Sequence, residues 1–352
     1  MSIEGNGMKA LAEETVWALS VLVLGLMGMG CSDDTTSGSP DAARDVGIVL
    51  DGAMDAGPTA DAADDQDAGR LGDAAAPSDG GGQDAGGGEC DNWQQRHPEW
   101  IFCDDFESHE PLVGPGRYFE YDDDDGDCHV EDGVGVGGSR GLSILWQAGE
   151  VQAGGLKLAF GRNPQGYMDK GIRSNTDFRE IYYRMYLRNQ PGWQGSPAKL
   201  SRATVFVSSS DWSQAMIAHL WSHGDVLLID PASCVDANGN VMCQGYNDFD
   251  HLDWLGNQDG STPIFATDHS GIWYCIEAHV KLNDPGQSNG VQEFWIDGHL
   301  EARRENLNFV GTYNDYALNA VFFENYWNDG SPVEQGRTFD NIVVSTERIG
   351  CL

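Results

Sequence analysis

The chain has 352 residues and a formal net charge of -36, of which residues 1–31 carry -2 and residues 32–89 carry -12, leaving -22 for residues 90–352. A domain this acidic is a poor partner for nucleic acid or an anionic membrane surface. A polyuronate is also repelled at long range, unless a local basic groove or bound cations offset the field.

Residues 1–31 read as a targeting segment. Val16 to Met29 is an apolar run too short to span a bilayer comfortably, and it stops at Gly30-Cys31-Ser32. A small residue before a cysteine at the end of such a run resembles a bacterial lipoprotein signal, which implies a lipid on Cys31. An ordinary cleaved signal or an anchoring helix is the other reading. Each implies export: a cell-envelope lipoprotein at the outer membrane or cell surface, or else a secreted protein. The membrane is then touched only through the anchor. Residues 32–89 are mostly Asp, Ala and Gly, with Asp-Ala-Gly recurring at 55, 67 and 84. Such a segment cannot bury enough apolar surface to offset its ordering entropy, so a disordered acidic linker is predicted.

The folded part is expected over 90–352. Trp100 to Glu107 reads as its first strand. Glu120 to Asp127 reads as a solvated acidic loop, too mobile a setting for the paired carboxylates of a glycosidase. Leu142 to Trp146 and Gly155 to Phe160 are further strands. In Phe178 to Arg188, Ile181, Tyr183, Met185 and Leu187 make a core face, and Glu180, Tyr182, Arg184, Tyr186 and Arg188 make the other. Alternating Arg and Tyr suit a sugar-binding sheet, because aromatic rings stack on pyranose faces and guanidinium clamps carboxylates. Trp212 to Trp221 is another strand, with His219 a candidate general base. Val226 to Asp230 follows, then a loop from Asn247 to Gly260. Gly271 to Gly298 reads as a long hairpin. Its first arm puts Trp273, Cys275, Glu277, His279 and Lys281 on one face, and Ile272, Tyr274, Ile276, Ala278 and Val280 on the other. Ala317 to Trp327 adds a strand with Asn325 and Tyr326 as groove candidates, and Arg337 to Ser345 closes the set. Many strands, frequent turn signals and almost no helical period predict an all-β, two-sheet antiparallel sandwich.

Seven cysteines fall in 90–352. In an exported protein they favour disulfides. Cys234 and Cys243 flank a turn-rich loop and are the best pair. Cys275, in mid-strand, is expected to be a free buried thiol. Cys90, Cys103, Cys128 and Cys351 would then form two bridges of open connectivity. No zinc-ligand spacing is present.

The hairpin carries a resemblance. Trp-x-Cys-x-Glu-x-x-Val-Lys-Leu-Asn, followed by Pro-Gly, Asn-Gly and Phe-Trp-Ile-Asp-Gly, resembles the central hairpin of concanavalin A-like jelly rolls. Within these it is most similar to polysaccharide lyases of the alginate lyase and glucuronan lyase type, over roughly Trp100 to Cys351. The resemblance implies a jelly roll with first and last strands adjacent, and a structural Ca²⁺ held by Asp105, Glu107 and Asp340. It also places Lys199 in the groove, although Ser201 and Arg202 stand where those lyases have Pro-Gly. The implied activity is β-elimination on an acidic polysaccharide; the sequence gives no sign of an organic cofactor, and a monomer is expected. That chemistry needs a group to neutralise the uronate carboxylate, a base and an acid. Arg184, Lys199 or Arg202 is offered for the first role, His219 or a tyrosine for the second, and Tyr182, Tyr186 or Tyr326 for the third. Arg188 is a further substrate contact. The alternatives are a non-catalytic glycan-binding surface lipoprotein and a structural surface protein on the same scaffold.

Overall fold

The computed structural model describes residues 88–352. The targeting segment, Cys31 and all but the last two residues of the acidic linker lie outside the described residues. Sixteen strands run in chain order: β1 (Trp100–Asp104), β2 (Glu120–Asp122), β3 (Cys128–Glu131), β4 (Gly141–Trp146), β5 (Gln152–Ala159), β6 (Glu180–Asn189), β7 (Lys199–Phe206), β8 (Gln214–His223), β9 (Val226–Ser233), β10 (Asp253–Trp254), β11 (Gln258–Asp259), β12 (Tyr274–Lys281), β13 (Gly290–Ile296), β14 (His299–Leu307), β15 (Ala320–Tyr326) and β16 (Gln335–Ser345).

They form two antiparallel sheets. The back sheet has the order β14-β13-β12-β6-β16-β4-β3, with β1 on β16; the front sheet has the order β10-β9-β8-β7-β15-β5-β2, with β11 on β9. The first and last long strands are therefore neighbours, as the resemblance implied. The core lies between the sheets. Ile181, Tyr183, Met185 and Leu187 of β6 and Ile276, Ala278 and Val280 of β12 meet Leu156 and Leu158 of β5, Leu200, Ala203 and Val205 of β7, and Val321 and Phe323 of β15. Fully burying side chains of this size stabilises by about 1.5–3 kcal/mol each, enough to fix which face of each strand turns inward. The faces predicted for β6 are the observed ones. Ile272 departs from the hairpin pattern: it precedes β12 and is exposed.

Cys234–Cys243 is bridged, as expected. The other cysteines correct the reading of the sequence. Among the described residues the bridges are Cys90–Cys103 and Cys275–Cys351, and the free buried thiol is Cys128. Cys128 turns into the core, its Sγ 3.1 Å from where a Cβ on Gly154 would lie. Cys275 shares the outward face of β12 with Glu277, and residues 346–352 cross that face as a strap. The buried Glu277 carboxylate accepts N–H bonds from Ile349 (2.6 Å) and Gly350 (3.2 Å). Removing the bridge by Cys351→Ser opens a loop of sequence separation 76. The expected loss is about 4 kcal/mol in denaturant unfolding, because loop-closure entropy returns to the unfolded chain. A loss below about 1 kcal/mol would mean that the hydrogen bonds from the strap to Glu277, Arg184 and Tyr186 hold it without the bridge.

Candidate active site

The sheet pairing divides the predicted site residues between opposite sides of the sandwich. Tyr182, Arg184, Tyr186 and Arg188 stand on the outer face of the back sheet; Lys199, Arg202, His219 and Tyr326 stand on the outer face of the front sheet. Alternation identifies a strand's faces but not the sheet it joins, so the two sets could not be told apart beforehand.

The back-sheet set is largely engaged by the chain itself. Arg184 is buried, ion-paired with Glu89 and bonded to the carbonyls of Asn341 (3.1 Å) and Gly350 (3.2 Å). Tyr186 accepts the Leu352 N–H through its hydroxyl at 2.6 Å. Both are held by Glu89 and by residues 350–352, so neither the carboxylate-neutralising role offered for Arg184 nor the acid role offered for Tyr186 has a free group to perform it. Tyr182 stacks on His279 with ring centroids 4.1 Å apart, and His279 bridges Glu180 (2.9 Å) and Glu293 (2.7 Å). Asn325 is buried and its side-chain amide turns inward, donating to the Gly154 carbonyl and accepting from Arg337 Nε at 2.7 Å, so its amide is already engaged although the residue borders the front-sheet groove. The carboxylates offered for Ca²⁺ are bonded to nearby donors: Asp105 to Cys90 N (2.9 Å), Glu107 to Arg140 N (2.7 Å), Asp340 to Val136 N (2.7 Å) and Ser139 Oγ (3.1 Å). Among the described residues no three His, Cys, Asp or Glu side chains converge on a metal position.

On the front sheet, register aligns one outward row across six strands: Glu120, Lys157, Phe322, Arg202, His219 and Asp230. Tyr326, Lys199 and Trp221 pair in the neighbouring row. Lys199 and Arg202 are three residues apart, so strict alternation would put them on opposite faces. A bulge between Lys199 and Ser201 resolves this. Leu200 packs in the core and Ser201 turns to Tyr183 Oη (3.1 Å), while Lys199 and Arg202 both face out. A bulge that re-aims a side chain in this way is a common device beside functional sites.

Most charges on this face are already matched. Lys157 is ion-paired with Glu120. Arg202 makes a two-pronged pair with Glu324 (2.6 and 2.9 Å) and donates to Asn247 Oδ1 at 2.6 Å, with its guanidinium 5.3 Å from the Tyr246 ring. Lys199 has no carboxylate partner among the described residues. Its Nζ lies 4.0 Å from the Tyr326 ring centroid and 5.9 Å from that of Phe249. Burial, with the Arg202 charge beside it, lowers its pKa to about 8. This amine is therefore poised to change protonation near neutral pH.

His219 is sealed under Trp221 (centroids 4.0 Å) and Trp254 (5.6 Å). Its Nδ1–H donates to the Asp230 carbonyl at 3.0 Å, so Nε2 carries a lone pair, which is buried without a partner. Burial and the Arg202 charge hold its pKa well below the usual value, so it is neutral. It forms part of the groove floor.

Sequence reasoning did not single out Asn247, Phe249 or Glu324. Phe249 and Trp254 are exposed and stack at 6.2 Å with an interplanar angle of 7°. The signal was the cluster of Tyr246, Phe249 and Trp254 in a loop, where exposed aromatics have no packing reason to occur.

No protein-family model and no curated protein matches the chain. Among solved structures it is similar to an alginate lyase from a Chlorella virus, at 12% identity and a TM-score of 0.45, over 65% of this chain and 91% of that one. An endo-β-1,4-glucuronan lyase from the fungus Trichoderma reesei follows at 15% identity and 0.43, over 65% and 96%. A marine alginate lyase from Aplysia kurodai stands at 14% and 0.42, over 70% and 99%. The fold is a two-sheet jelly roll. That assignment rests on the sheet order, and with these scores no residue role is carried over from the neighbours.

Proposed function

We propose that the front-sheet face is the groove of a polysaccharide lyase acting on a uronate-containing chain by β-elimination. The observation that carries this reading is Lys199, an amine with its pKa near 8, no carboxylate partner among the described residues, and the Tyr326 ring against it. Neutral Lys199 takes the proton α to the uronate carboxylate. The electron pair forms the ring double bond and expels the 4-linked oxygen, which receives the Tyr326 phenolic proton. Asn247, whose Oδ1 is occupied by Arg202, offers its amide N–H groups to the carboxylate. Phe249 and Trp254 give the flanking sugars an aromatic platform. A base with its pKa near the working pH balances availability against strength. Three disulfides suit an oxidising compartment, which supports export with the acidic linker as a tether and Cys31 as the lipid site.

A non-catalytic glycan-binding module is the second reading. It is favoured by the sealed His219 and the Glu324-neutralised Arg202, which leave Lys199 as the free charged group in the groove. The purified protein mixed with alginate, glucuronan and other polyuronates decides between them. A lyase produces the ultraviolet absorbance of the unsaturated uronate, and Tyr326→Phe suppresses it by about 10²–10⁴-fold. Binding without absorbance on every substrate would establish the module instead.

A further inference from the structure

A sizeable cavity lies away from the proposed groove. It is a trough of about 490 Å³ on the outer face of the back sheet, within the usual range for ligand sites. Its shape follows from the register. His129, Ser143, Thr338 and Arg188 form one row across β3, β4, β16 and β6. In the next row Leu145 pairs with Gly336, whose N–H donates to Gln190 Oε1 at 2.8 Å. The middle strands thus present Ser143, Gly336 and Thr338 beside Leu145, and the flanking strands carry the long polar side chains His129, Glu131 and Arg188. A Cβ on Gly336 would lie 2.8 Å from the Ile144 carbonyl oxygen, so a side chain is strongly disfavoured at that point of the floor.

One wall carries Asp127, His129 and Glu131, and the other carries Arg188. The Arg188 guanidinium lies over Trp273, 4.7 Å from the ring centroid, and is bonded to the Val134 carbonyl at 2.8 Å. It has no carboxylate partner among the described residues. The strap of residues 346–352 is bonded around Arg184, Tyr186 and Glu277, next to the trough.

We propose that this trough is a second glycan site and that its occupant is a neutral saccharide chain. The charge balance selects that class. Arg337 also borders the trough, but its buried guanidinium turns inward to Asn325 and the Glu324 carbonyl, so two wall carboxylates face Arg188 alone; with the acidic turn Asp122 to Asp125 preceding β3, a polyanion is repelled. A neutral chain offers hydroxyl donors to Asp127 and Glu131, and acceptors to Arg188, Ser143 and Thr338. Front groove and back trough are separated by the core. The protein can hold a neutral glycan on one side while a different chain occupies the other. This inference does not depend on catalysis in the front groove.

The test is binding of the purified protein to neutral polysaccharides, namely a β-glucan, a xylan and a galactomannan, by affinity electrophoresis and calorimetry. Ser143→Tyr fills the trough floor and Arg188→Ala removes its guanidinium. Each is expected to weaken binding at least about tenfold with the thermal midpoint unchanged. If none of the three polysaccharides binds, or if binding survives both substitutions, the trough is not a neutral-glycan site.

Discussion

Lys199→Ala is expected to lower kcat/KM for polyuronate elimination by about 10²–10⁴-fold, the usual contribution of a positioned general base. The wild-type kcat/KM should rise with pH and level off above about 8, because the free enzyme must lose the Lys199 proton before the amine can act. A carboxylate-neutralising ammonium would give the opposite slope, with activity falling through the same range. Stability provides an independent check. The folded pKa lies below the ordinary 10.5, so between about 8 and 10.5 the unfolded chain binds more protons than the folded one. Wild-type stability therefore gains from this group as pH rises across that window, and the cost of the buried charge is full below it. Lys199→Met should be at least as stable as the wild type at pH 7, with its advantage shrinking towards pH 10.5. A residue that costs stability and is needed for turnover is one retained for chemistry. An inactive Lys199→Met that also melts lower at pH 7 would instead make Lys199 a packing residue.

The faces of β6 and β12 were legible because each side chain position has a period of two and one face is apolar. Tyr183 and Ile276 point inward as their neighbours require. What alternation could not supply was partnership. Arg184 looked like a free sugar clamp, yet it meets Glu89 and Gly350, contacts of sequence separation 95 and 166 that no local pattern encodes. Cys275 is a related case. Its face was read as the outward one, so a core thiol was at odds with the pattern, and the terminal strap that reaches it had no signal beyond Cys351 itself. The outward turn of Lys199 depends on a bulge against β8, and a bulge is visible only once two strands are in register. The groove was therefore half legible: Lys199, Arg202 and Tyr326 by residue type, Asn247 and Glu324 only by position.

Glu324→Gln should be the most destabilising single change in the groove. The Arg202 side chain has no exposure and that of Glu324 is 14% exposed, so the substitution leaves a buried guanidinium without its counter-charge. Breaking such a pair from one side costs about 3–5 kcal/mol, read as a fall of about 6–20 °C in thermal midpoint for a domain of this size. Replacing both partners, as in Arg202→Met with Glu324→Leu, should recover most of that loss, because burying the ions had a desolvation cost of its own. Activity should not recover with it. Arg202 donates to Asn247 Oδ1 at 2.6 Å and packs over Tyr246, so the pair fixes the amide proposed to meet the uronate carboxylate. The double variant is expected to raise KM more than it lowers kcat, since it loosens a substrate contact and leaves Lys199 and Tyr326 in place. A stable double variant with wild-type KM would separate Asn247 from the carboxylate and confine the reaction to the Lys199–Tyr326 pair.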